Sequence, residues 1–187
     1  MVLEVKNNRL QEVRWLASPN CNARPDADDI SLIVIHGISL PPGQFENGYI
    51  DQLFLNQLCF SDDAFFKEIE GLKVSSHVVI DRSGKITQFV DFDQKAWHAG
   101  VSQFQGRKAC NDFSIGIELE GTDERPYTQQ QYERLIEVIH ALYKAYPKTE
   151  NNPIVGHCHI APGRKTDPGA SFDWELLKKQ GLTVWEG

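Results

Sequence analysis

Between Gly156 and Gly169 the chain reads GHCHIAPGRKTDPG, placing His157, His159, Lys165 and Asp167 in one short stretch. Imidazoles and a carboxylate can ligate a metal, and an ammonium can stabilise an oxyanion. Little here favours a helix, so the segment is expected to run extended. His157 and His159 would then share a face, with Cys158 on the opposite one, while Lys165 and Asp167 project to the same side. Pro168 biases Asp167 toward an extended backbone, which helps fix its aim.

A third candidate ligand comes from elsewhere. His36 closes the apolar run SLIVIHG (31–37), and a single histidine in such a place is more often structural than catalytic. The combination argues otherwise, because His36 and His157 both end predicted strands and can meet at one sheet edge, with Asp167 joining from the adjacent loop. Two histidines and one carboxylate, with a fourth position left to water, form a catalytic zinc pattern, whereas structural sites are usually closed by four protein ligands. Zinc in such a site brings bound water to a pKa of about 7 and polarises a carbonyl.

The chemistry also needs a proton acceptor. In FSIGIELEG (113–121), Ile115, Ile117 and Leu119 alternate with Ser114, Gly116, Glu118 and Glu120, so both carboxylates face away from the apolar side. The ordinary place for a strand glutamate is a solvated face, the expectation for Glu120. Glu118 lies deeper in the run and is the candidate base. Lys165 is either half of a surface ion pair or, beside Asp167, the oxyanion partner. In KAWHAG, Trp97 and His98 stand in a loop where a ring face and an imidazole can border a cleft and bind sugar or peptide. His77 and His140 read as structural.

These groups need a scaffold. SLIVIHG has the unbroken apolar pattern of a strand covered on both faces. SSHVVID (75–81) and KITQFV (85–90) flank Arg82, Ser83 and Gly84 and predict a hairpin. FSIGIELEG and PIVGH (153–157) add two more strands. Thr128 and Gln131 form a capping box ahead of apolar residues at helical spacing from Tyr132 to Tyr146, and Pro147 ends that helix. Shorter helices are predicted over 50–58 and from about Phe172 to Gln180, with Gly181 as C-terminal breaker. Segments 17–29 and 91–111 read as rim loops. The expected fold is α/β: a mixed sheet flanked by helices.

With 187 residues and 41% hydrophobic content, the chain can bury one sizeable core. A single domain spanning 1–187 is expected, with 1–11 as a loosely ordered N-terminal segment. The start shows no signal-peptide pattern, and no stretch approaches roughly 18 consecutive apolar residues. A cytoplasmic protein without a membrane partner is therefore expected. Net charge −7 argues against nucleic acid, leaving a small substrate or peptide. Cys21, Cys59, Cys110 and Cys158 are far apart, which disfavours both a disulfide scaffold and a structural zinc knot.

SLIVIHGISLPPGQF, AWHAGVS, CNDFSIGIELEGTD, GHCHIAPGRKTDPG and SFDW, in this order and spacing, closely resemble the cytoplasmic N-acetylmuramoyl-L-alanine amidases of AmpD type, from about residue 12 to the end. The wider family includes amidase-type phage lysozymes and peptidoglycan recognition proteins and is built on a mixed sheet flanked by helices. The resemblance implies hydrolysis of the amide between 1,6-anhydro-N-acetylmuramic acid and L-alanine in muropeptides, during cytoplasmic wall recycling. It implies one Zn2+ on His36, His157 and Asp167, Glu118 as base or water-positioning group, and Lys165 at the transition state. Tyr49 matches a tyrosine used near the metal in some relatives. Close relatives hold peptide carboxylates with arginines where this chain has Lys73 and Ala109, and often carry asparagine where it has Gly37. Arg107 or Lys108 is a candidate replacement for the charge missing at 109, and His159 for a substrate contact or a support behind the ligands. A monomer is expected. One rival reading is a binding module of the same fold, which typically lacks part of the zinc set retained here. Another is a Cys158 hydrolase, disfavoured because neighbouring strand residues point apart.

Overall fold

A six-stranded mixed sheet forms the centre of the protein. The computed structural model describes residues 3–187. In chain order the elements begin with β1 (Val5–Lys6), β2 (Arg9–Leu10), β3 (Arg14–Trp15), β4 (Cys21–Ala23), β5 (Leu32–Ile38), α1 (Tyr49–Phe54), β6 (Val78–Ile80) and β7 (Ile86–Gln88). Then follow β8 (Gln94–Ala96), β9 (Gln103–Phe104), β10 (Arg107–Lys108), β11 (Ser114–Glu120), α2 (Gln129–Ala145), β12 (Val155–Gly156), α3 (His157–Ile160) and α4 (Trp174–Lys179). The sheet order is β12-β5-β11-β6-β7-β3. Strands β12, β5, β11 and β6 run parallel, β7 is antiparallel to β6, and β3 is parallel to β7.

The alternation along β5 and β11 divides the interior. Ile33, Ile35, Ile115, Ile117 and Leu119 pack against Leu135, Val138, Ile139 and Leu142 of α2, each full burial stabilising the fold by about 1.5–3 kcal/mol. Leu32 and Val34 point the other way, into a smaller cluster with Ala99, Phe104, Phe113 and Val155. Helix α2 carries the predicted capping box, with the Thr128 side chain accepting from the Gln131 N–H and the Gln131 side chain from the Thr128 N–H. Pro147 opens a 3-10 turn after it. The expected hairpin is present as β6 and β7, with Asp81 Oδ1 accepting from the Ser83 and Lys85 N–H groups across the turn.

Several expectations are corrected. Within 1–11, the described residues form the β1–β2 hairpin, and Leu3 and Leu10 are buried in the main core. The first helix stops at Phe54; Asn56 follows with φ 57°, a left-handed conformation that a helix cannot continue. The two rim segments contain paired strands, β4 with β8 and β9 with β10. Most consequential, His157–Ile160 is a helical turn rather than extended. Glu120 is buried, its carboxylate accepting from the backbone N–H groups of Glu46 and Arg82.

Candidate active site

Three neighbouring parallel strands deliver three chemical groups to one edge of the sheet. Glu118 of β11 pairs in register with His36 of β5, and Gly156 of β12 pairs with Ile35, so His157 emerges beside His36. Such carboxyl-end edges are where open α/β sheets place their ligands. His36 and Glu118 lie on the face turned away from α2. Asp167 reaches in from the loop after α3, and that loop is tied down twice. The Cys158 N–H donates to the Asp167 carbonyl (3.0 Å), and the Tyr127 hydroxyl donates to the Pro168 carbonyl (2.9 Å).

The donor atoms converge tightly. His36 Nδ1 is 3.0 Å from His157 Nδ1 and 3.2 Å from Asp167 Oδ2, which is 3.1 Å from His157 Nδ1. Ligands bound at about 2.0–2.1 Å in a tetrahedron are separated by about 3.3 Å, so these edges match a single small cation. The outward nitrogen of His157 supports the same reading. Its Nε2 is 3.1 Å from the Ala99 carbonyl, which only accepts. Neutral His157 therefore carries its proton on Nε2 and turns the Nδ1 lone pair inward. Two buried imidazoles and a carboxylate thus fit a divalent metal.

Electrostatics sharpen the division of roles. Burial lowers the His36 pKa to about 4, outweighing the nearby Asp167 carboxylate that works to raise it, so its imidazole is neutral at pH 7. Burial opposes ionisation of Asp167, yet the adjacent His157 and His36 rings hold it below the usual carboxylate range. Burial, then the Asp167 charge, push Glu118 well above that range. Glu118 Oε1 is 4.0 Å from His36 Nδ1. Lys165 is exposed and lines the same cleft of about 280 Å³, whose lining also includes the apolar Leu53, Phe65, Ile69 and Val74.

A family model described as N-acetylmuramoyl-L-alanine amidase matches residues 26–170. The chain belongs to this family. The 1,6-anhydro-N-acetylmuramyl-L-alanine amidase AmpD of Haemophilus influenzae is 51% identical over 174 residues, covering 93% of this chain and 95% of that protein. A crystal structure of a selenomethionine AmpD derivative superposes with TM-score 0.91 at 51% identity, covering 94% of this chain and 97% of that one. The Escherichia coli amidase AmiD, solved with anhydro-N-acetylmuramic acid-L-Ala-D-gamma-Glu-L-Lys, superposes with TM-score 0.61 at 28% identity, covering 98% of this chain and 67% of that one.

In this amidase the remaining candidates separate by position. Gly37 and Trp97 line the cleft, and a Cβ at Gly37 would stand 2.3 Å from the Tyr127 hydroxyl. Lys73 is exposed between the cleft residues Leu72 and Val74. Tyr49 begins α1 and packs edge-on against Phe66, outside the cleft lining.

Three expectations change. His98 lines the cleft as expected but is only 8% exposed, and both its ring nitrogens lie against protein groups, His36 Nε2 at 2.9 Å and Ser114 Oγ at 3.2 Å, instead of a ligand. Arg107 turns to the Asp29 carboxylate and lies over the Phe113 ring, away from the cleft. His159 does not share a face with His157, because two positions on a helical turn are about 200° apart. Its Nδ1 accepts from the Gly156 N–H and its ring leans on Trp174. Cys158 is half-buried with a thiol pushed up by burial, unlike an activated thiolate. Sequence reasoning missed Tyr127, Ser114 and Asn111, whose Oδ1 accepts from the His98 and Ala99 N–H groups. The one available signal was Gly116, a glycine inside a strand, which marks close approach of another group.

Proposed function

We propose that this chain is a zinc-dependent amidase that hydrolyses the bond between 1,6-anhydro-N-acetylmuramic acid and L-alanine in muropeptides, in cytoplasmic peptidoglycan recycling. The observation that carries the reading is the convergence of His36 Nδ1, His157 Nδ1 and Asp167 Oδ2 beside the buried Glu118 carboxyl. The near full-length likeness to amidases named for the anhydro sugar supports the substrate class. All these groups come from one chain, so a monomer suffices.

His36, His157 and Asp167 would hold the zinc. When bound there, zinc supplies Lewis acidity toward water and the amide carbonyl. Glu118 takes a proton from the attacking water and passes it to the departing nitrogen of L-alanine, a double task suited to its raised pKa. The Lys165 ammonium faces the oxyanion that develops on the carbonyl oxygen. The apolar part of the cleft lining keeps bulk water from the reacting bond, which strengthens both interactions. The outward nitrogens of His36 and His157 are taken up by His98 and by the Ala99 carbonyl, which leaves each Nδ1 facing the site.

The test is metal analysis of the purified protein, followed by mass spectrometry of products from anhydro and reduced-sugar muropeptides. One equivalent of zinc and release of intact peptide, faster from the anhydro substrate, are expected. Glu118→Gln should keep zinc while kcat falls by about 10²–10⁴-fold. A fully active variant removes Glu118 from the mechanism.

A further inference from the structure

We propose that His98 is a positioning residue that fixes the tautomer and aim of His36, through a line of hydrogen bonds ending on a backbone carbonyl. The inference rests on the ligand role proposed for His36 and adds what holds that ligand in its working form.

The line is determined from its far end. The Cys110 carbonyl can only accept, and Ser114 Oγ lies 2.6 Å from it, so the Ser114 hydroxyl donates there. That leaves the oxygen of Ser114 to accept from His98 Nε2, 3.2 Å away. Neutral His98 then has a bare Nδ1, which lies 2.9 Å from His36 Nε2. His36 must donate from Nε2, and its Nδ1 lone pair is free to face His157 and Asp167. Each assignment follows from the one before.

The surroundings are built for this ring. A Cβ at Gly116 would fall 2.5 Å from His98 Cγ, so the ring occupies the space where any other residue would project its side chain. Asn111 Oδ1 accepts from the His98 and Ala99 N–H groups at 3.1 and 2.8 Å, which fixes the backbone. The His98 and His36 rings meet edge-on, 5.0 Å apart at 89°. His157 differs in one respect. Its outward nitrogen is fixed by the Ala99 carbonyl, which belongs to the backbone. Of the two histidines, only His36 has its outward nitrogen held by a replaceable side chain.

Two variants separate positioning from packing. His98→Leu removes the acceptor, whereas His98→Asn keeps an amide oxygen near the place of Nδ1. Long-range proton–nitrogen NMR on the zinc-free protein should find wild-type His36 protonated at Nε2 alone, and a mixture of tautomers in His98→Leu. By chelator competition, the zinc dissociation constant should rise about 10–100-fold in His98→Leu and stay within about threefold of wild type in His98→Asn. Ser114→Ala, which frees the far end of the line, should also mix the His36 tautomers and covers the case in which His98→Leu does not fold. The proposal is overturned by a wild-type His36 protonated at Nδ1, by an unaltered tautomer in the folded variants, or by equal zinc loss in His98→Leu and His98→Asn. A wild-type protein that binds no zinc would instead defeat the metal reading, while the tautomer measurement would still judge this one.

Discussion

At the scale of the residue, His157 and His159 show how much a local backbone conformation decides. On an extended strand they would share a face; on the helical turn His157–Ile160 only His157 points into the ligand cluster. His157→Ala should abolish zinc retention and activity. His159→Ala should hold zinc as tightly as wild type, as read by chelator competition, and cost about 1 kcal/mol in urea unfolding for the bond lost to the Gly156 N–H. Equal zinc loss in both would reverse the assignment. The convergence of His36, His157 and Asp167 was legible because such residue types at strand ends and in the adjoining loop are chemically uncommon together. His98 and Arg107 were not, since nothing in a sequence tells whether an imidazole meets a sugar or another imidazole, or whether a guanidinium meets a substrate or Asp29.

At the scale of the element, β5 and β11 act as a partition. Their odd-numbered apolar residues pack under α2, while His36 and Glu118 continue the opposite face. Thr128→Ala removes the cap of α2 and should cost about 1 kcal/mol in urea unfolding while KM and the zinc dissociation constant remain unchanged. A parallel loss of zinc affinity would show that the faces are coupled. The period-two pattern announced the apolar side of β11 correctly. It failed for Glu120 because alternation tells which way a side chain points, and not whether a distant loop comes to cover it. Here the Glu46 and Arg82 backbones do so. The turn after β12 was missed for a related reason: Cys158 donates to Asp167, so the tertiary contact holds a conformation that local propensity does not favour.

At the scale of the whole molecule, three histidines are held neutral in the interior. Burial is the main cause, lowering His36 to about 4 and His77 to about 3, and carrying His98 well below its ordinary value. Below about pH 6.5 the unfolded chain protonates these imidazoles and the folded one does not, so their stabilisation is whole above that pH and declines as pH falls. Glu118 and Glu120, raised by burial, act in the opposite sense. The imidazoles lowered by burial, His159 among them, outnumber the two carboxyls. Zinc-free protein should therefore lose stability as pH falls from about 6.5 to about 5 in urea titrations; a flat profile would mean that the imidazoles are solvated. Among the described residues no helix is long and apolar enough to cross a membrane. His36 and His157 are separated by 121 positions in the chain, and β12, which delivers the second, is the last of the described strands. During synthesis the candidate set of His36, His157 and Asp167 is therefore incomplete until the segment after β12 has been made. A metal held there would stabilise only states in which β5 and β12 have already come together.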